Sequence, residues 1–302
     1  MRITNCLLIK TMSALFFAVL LPCLAAGCLL GDDIENLRIK AGKPSDNPAI
    51  PEFIVPGNDL KSDLDWLFAN AVSGGFYTIE IRNDESINGS YLYFDGKTVH
   101  ITLKGDNLER IITINDKNTM FNIGQGVTLS LDKNITLAGN IANSGSLVRV
   151  GEGGSLNLRT GSKITGNATE ADGGGVCVIG GVIYINGGTI TGNTSANNGG
   201  GVYIEDGNFT MLSGEISANS AVRGGGVYVS FIDNDDGIFN KTGGIIYGTG
   251  VSGIGNNASL EGSAAYLISS KLTDIFLHRN STLSGTDTIN YFNSNGNNTG
   301  WE

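Results

Sequence analysis

Three glycine triplets, at 173–175, 199–201 and 224–226, are each followed by an alternating apolar segment: Val176, Cys177, Val178; Val202, Tyr203, Ile204; Val227, Tyr228, Val229. Each is preceded by an Asn-ending motif: ITGN at 164–167, ITGN at 190–193 and ISAN at 216–219. The spacing is 26 residues, then 25 or 26, and a fixed period in this range is the mark of a solenoid. Each unit reads as a strand, a turn, a second strand, a glycine turn, a third short strand and an Asn-containing corner, with no helical period. Three short strands per unit suit one rung of a parallel β-helix. A lone rung cannot offset the entropy of ordering its backbone, so only the stacked array is stable. Fainter copies extend the pattern to ITLAGN at 135–140, TGGIIYG at 242–248 and STLSG at 281–285.

Alternation assigns directions. Val176, Val178, Val202, Ile204, Val227 and Val229 are expected to face inward on one face of the rung. Ile183, Ile185, Phe209 and Met211 do so on the second, and Ile164, Ile190 and Ile216 on the third. Cys177, Tyr203 and Tyr228 form one outward column, and Thr165, Thr191 and Ser217 another. Corners need left-handed or strained backbone, which Gly and Asn tolerate best. Asn167, Asn193 and Asn219 recur at one corner, where stacked amides are expected to form a hydrogen-bonded ladder.

Glycine accounts for 45 of 302 residues, 26 of them between 151 and 250. A collagen-like chain is excluded, because no Gly-X-Y period exists and all five prolines lie before position 57. The formal net charge of −10 disfavours nucleic acid as a partner, since phosphate binding needs a basic surface.

The N-terminus reads as an address. Arg2 and Lys10 flank the mostly apolar stretch from Ala14 to Leu24, too short for a membrane span, and the segment ends Leu24, Ala25, Ala26, Gly27, Cys28. This ending resembles the bacterial lipobox, with Leu24 one place earlier than usual. The resemblance makes residues 1–27 a lipoprotein signal peptide and Cys28 the lipidated first residue of an envelope protein. Cys6 and Cys23 leave with the signal, so Cys177 alone remains unmodified and stability must come from packing. Residues 28–57, acidic and then Pro-rich, read as a tether. Within 58–75, Leu60, Leu64, Leu67, Phe68 and Ala71 carry a helical period, which predicts an amphipathic helix over 59–72 capped by Ser62 or Asn58. Such a helix would cover the first rung, where open strand edges invite aggregation. Irregular rungs are expected from Tyr77 to Ile123. The β-helix domain is assigned to 76–302, with Trp301 buried in a C-terminal cap.

The units GGVIYINGGTITGNTSANNGGGVYI and DGNFTMLSGEISANSAVRGGGVYV resemble the repeats of bacterial right-handed parallel β-helix surface proteins of the polymorphic outer-membrane or adhesin-like kind, strongly over about 126–250. The resemblance implies a cell-surface protein, anchored at the outer membrane by lipid rather than by a barrel. Its partners would be the membrane through that lipid, and a glycan or a host or matrix protein. It brings no catalytic motif.

Chemistry-bearing patterns are sparse. His100 and His278 sit in no metal-ligand spacing, and no cofactor is indicated. The stretch 233–237 (DNDDG) lacks the spacing of a calcium loop. Parallel β-helices also carry polysaccharide lyases and hydrolases, whose carboxylates cluster on one outer face. Here the outer positions of successive rungs are Lys163, Thr189 and Glu215, then Asn157, Tyr184 and Thr210, with no recurring acidic pair. The sequence thus reads as a non-enzymatic adhesion, binding or envelope-structural protein, with a carbohydrate-active enzyme as the alternative. Tyr203 and Tyr228, with Tyr184 on the next face, are the candidate ligand contacts, as exposed rings stacking on sugar or protein.

Overall fold

The computed structural model describes residues 53–231, 238–249, 252–269, 275–278 and 289–292. The signal segment, Cys28, most of the assigned tether, the 233–237 loop, STLSG at 281–285 and Trp301 lie outside the described residues. The described chain is nearly all parallel β, stacked into a solenoid of about seven turns with about 27 residues per turn.

Each rung contributes to three main faces. The first face is an eight-stranded sheet running from Ser90–Leu92 through Val176–Ile179, Val202–Glu205 and Val227–Phe231. The second and third belong to one 14-stranded sheet, because Val182–Thr191 and Asn208–Ser217 each run around the bend between them. A fourth, short sheet of four strands, such as Thr194–Ser195, bridges the Asn corner and the glycine triplet. The sequence reading of three strands per rung omits it.

Register follows the repeat. Val176 aligns with Val202 and Val202 with Val227, and Ile164, Ile190 and Ile216 align on the third face. All the side chains expected inward are fully buried. The rungs before residue 126, expected to be irregular, continue the same columns: Tyr77, Ile101, Leu129, Leu156, Ile183, Phe209 and Phe239 are successive partners. The second inward column of that face runs through Leu158, Ile185 and Met211 to a residue that pattern reading missed, Lys241. It is fully buried, its Nζ donates to the Gly244 carbonyl at 2.8 Å, and burial pushes its pKa down to about 8.

The Asn ladder is longer than three. Asn143 Nδ2 donates to Asn167 Oδ1 at 3.0 Å. Asn167 N donates to Asn193 Oδ1 at 3.2 Å, and Asn193 Nδ2 to Asn219 Oδ1 at 3.1 Å. Asn219 Nδ2 donates to Asn256 Oδ1 at 3.0 Å. All five are buried. The left-handed backbone falls one residue earlier than expected, on Gly166 (φ 72°), Gly192 (φ 67°) and Ala218 (φ 51°). The asparagines are therefore placed for their amides and not for an unusual φ. In the triplets, Gly199 takes a left-handed φ of 67°, while a Cβ on Gly200 would stand 2.5 Å from the Gly225 carbonyl of the next rung. Backbone stacked this closely leaves no room for a side chain.

The helix at the front runs Leu60–Asn70, and its N-cap is Asp59 in place of Ser62 or Asn58. Ser62 N donates to Asp59 Oδ1 at 2.7 Å, and Asp59 N to Ser62 Oγ at 3.2 Å, a reciprocal capping box. Leu60, Leu64, Leu67 and Ala71 are buried, but Phe68 is 42% exposed and stacks on Phe94. The end of the assigned tether belongs to the folded body: Phe53–Ile54 pairs with Tyr77 and Thr78, and Val55 is buried.

Candidate functional site

The outward residues of the first face form one column in register: Tyr91, Asn122, Arg149, Cys177, Tyr203, Tyr228 and Tyr266. Its two ends differ in what they offer to solvent.

At the C-terminal end the rings stack on one another. Tyr203 and Tyr228 have centroids 5.3 Å apart and planes 8° from parallel; Tyr228 and Tyr266 repeat this at 5.3 Å and 9°. The left-handed glycines bring backbone against the column, since a Cβ on Gly199 would stand 2.8 Å from Tyr203 Cβ. Tyr203 and Tyr266 are each only 8% exposed, and Tyr228 is half-buried. The Tyr203 hydroxyl donates to Glu205 Oε2 at 2.7 Å, and burial with that carboxylate pushes its pKa far above the usual tyrosine value. The exposed contact strip expected from the sequence is thus a mostly buried aromatic stack. Tyr184 does not join it. It is half-buried on the second face, between Asn157 and Thr210, and burial raises its pKa. Cys177 is buried, and desolvation pushes its thiol up to about 11. A thiol with that pKa is inert at neutral pH.

At the N-terminal end the column opens. Leu92 points into the core, so its neighbours in the strand Ser90–Leu92 and just after it point out. Tyr91 and Tyr93 are 62% and 40% exposed, with ring centroids 6.0 Å apart and planes 28° from parallel. Tyr91 lies over Gly124, where a Cβ would stand 3.1 Å from its hydroxyl. The two rings line a hollow of about 340 Å³ together with Asn122, Gln125, Arg149 and Glu152. Arg149 and Glu152 are exposed, and Arg149 makes no ion pair among the described residues. Sequence reading missed this hollow because the rung carrying Tyr91 has no glycine triplet to announce its register. The available signal was the alternation of Tyr91, Leu92 and Tyr93.

Elsewhere the chemistry is structural. Lys163, Thr189 and Glu215 align as expected, and Lys163 Nζ pairs with Glu109 Oε1 at 3.2 Å. Asp63 and Glu85 have pKa values raised by burial. Asp63 accepts from Gly57 N and Glu85 from Leu60 N, each at 2.7 Å, so both carboxylates serve the start of the helix. His100 stacks on Phe76 at 4.2 Å, and burial lowers its pKa. Among the described residues no group of three or more His, Cys, Asp or Glu is arranged to hold a metal ion. No protein-family model, curated protein or solved structure matches the chain. The fold itself defines the class, a parallel β-solenoid with an open hollow at the N-terminal end of one face.

Proposed function

We propose that this chain is a non-enzymatic binding β-helix of the bacterial cell envelope, anchored by lipid on Cys28 and presenting its solenoid for contact with a glycan or a matrix protein. The observation that carries the reading is the paired, exposed Tyr91 and Tyr93 over a hollow lined by amide and charged side chains. Exposed aromatic pairs beside convergent polar groups make a recognition surface, because the rings supply apolar area and the polar groups fix orientation. The column that supports them is rigid, with parallel strands pairing rung to rung. The lipobox-like ending at Cys28 and the adhesin-like repeats support the envelope location. Lys163, Thr189 and Glu215 on the third face, and Asn157, Tyr184 and Thr210 on the second, offer no acid–base pair, which favours binding over hydrolysis.

The test has two arms. Metabolic labelling with a fatty acid should mark the wild type and not Cys28→Ala, and protease shaving of intact cells should remove the solenoid. A polysaccharide and matrix-protein panel, assayed for both retention and cleavage, should show retention without turnover. Turnover abolished by a single carboxylate substitution would replace this reading with a carbohydrate-active enzyme.

A further inference from the structure

Resting on the reading of the chain as a binding scaffold, we infer that the hollow at Tyr91, Tyr93 and Arg149 is a subsite for an acidic saccharide, a sugar ring bearing a carboxylate. Three features of the hollow point to that chemistry.

The first is the platform. Tyr91 exposes most of its ring, and its position over Gly124 sets the orientation before any ligand arrives. A flat, exposed aromatic face suits the apolar C–H face of a pyranose. The second is the guanidinium. Arg149 is exposed in the hollow and has no carboxylate partner among the described residues, although the chain carries 29 Asp and Glu against 19 Lys and Arg. Several cations on the solenoid are paired, Lys104 with Glu80, Arg110 with Asp106, Arg159 with Asp132 and Lys163 with Glu109. Arg149, like Lys133 and Arg223, makes no ion pair among the described residues, and of these three it is Arg149 that lines the hollow. A planar guanidinium with open donors matches a carboxylate in two-pronged fashion. The third is the distribution of the remaining polar groups. Asn122 stands between Tyr91 and Arg149 in the column, and Glu152 and Gln125 line the same hollow. Glu152 accepts hydrogen bonds from sugar hydroxyls and repels a carboxylate, so the acid group is directed to Arg149.

The dimensions agree. Tyr91 and Arg149 lie two strand spacings apart, about 10 Å between their backbones, and both side chains line the same hollow. A hollow of about 340 Å³ sits at the small end of ligand sites. The overall negative charge does not defeat the contact, because charges beyond about 8 Å are largely screened at physiological ionic strength.

Calorimetry with the full chain in detergent tests the assignment, using hexagalacturonate and its methyl ester as probes. The ester keeps the ring and removes the charge. The acid should bind at least about tenfold more tightly than the ester, the worth of one charge-assisted contact. Arg149→Gln should abolish that difference, while Tyr91→Ala should weaken both probes; both residues are exposed, so melting temperature should not move. Equal affinity for acid and ester, a preference that survives Arg149→Gln, or no binding of the acid overturns the inference. Should the wild type retain other glycans or matrix proteins, unaffected by either substitution, the subsite falls and the binding scaffold stands. Retention of nothing on the panel removes both.

Discussion

Tyr203 lies flat against Tyr228, ring planes 8° from parallel, and donates a hydrogen bond from its hydroxyl to Glu205. Two rings placed this way contribute packing as well as hydrogen bonding. Replacing both by Ser should therefore lower unfolding free energy by about 2–4 kcal/mol, combining lost area with lost stacking. Urea denaturation of the double variant checks this, and an unchanged midpoint would mean that the stack contributes nothing.

Ala218 occupies the left-handed corner position that Gly166 and Gly192 fill in the two preceding rungs. A Cβ in that conformation costs about 1–2 kcal/mol, part of which glycine returns to the unfolded chain as entropy. Ala218→Gly should raise the melting temperature, by up to about 1 kcal/mol of stability. Calorimetric scans of the two proteins decide the sign.

Lys241 is an amine buried in an aliphatic column, at the position after Met211. Burial lowers its pKa to about 8 from 10.5, so the unfolded chain binds more protons between those values and stability rises with pH across that window. Below pH 8 the penalty is complete. Lys241→Met should stabilise by on the order of 2 kcal/mol at pH 7 and flatten the rise above pH 8, as read from denaturation midpoints at several pH values.

Cys177 is buried, with its thiol shifted to about 11. Alkylation by iodoacetamide at pH 8 should run at least about a hundredfold slower in the folded protein than in urea, because so little thiolate is present. Peptide mapping of the labelled protein measures the two rates at this residue. Equal rates would show that the column is open to solvent.

The valine and isoleucine columns were legible because a period of two within a strand and a period near 26 between strands both survive in Val176, Val202 and Val227. The Asn corner was legible as position but not as cause, since left-handed backbone sits on Gly192 while the work of Asn193 is done by its amide. Exposure of Tyr203 was misread because direction and solvent access are separate properties: an outward side chain is still covered when the turn at Gly199 closes over it. Lys241 and Tyr91 were missed where the repeat loses its glycine markers. Lys241 follows an insertion, and the rung of Tyr91 begins without a triplet, so nothing in the string fixed which face either residue would join.

The Asn-to-Asn bonds of the ladder from Asn143 to Asn256 run one way, each donated toward the residue later in the chain, while the amides of Asn193, Asn219 and Asn256 also donate back to the Ile164, Ile190 and Ile216 carbonyls. A rung laid down last therefore carries a corner backbone N–H whose acceptor, the next Asn Oδ1, comes from its successor. The stack has a growing tip and a finished base, like a zip fastener that closes from one end. A chain that orders from its N-terminus would meet that tip already in place, so the energy of closing each corner favours adding rungs in the order of the sequence.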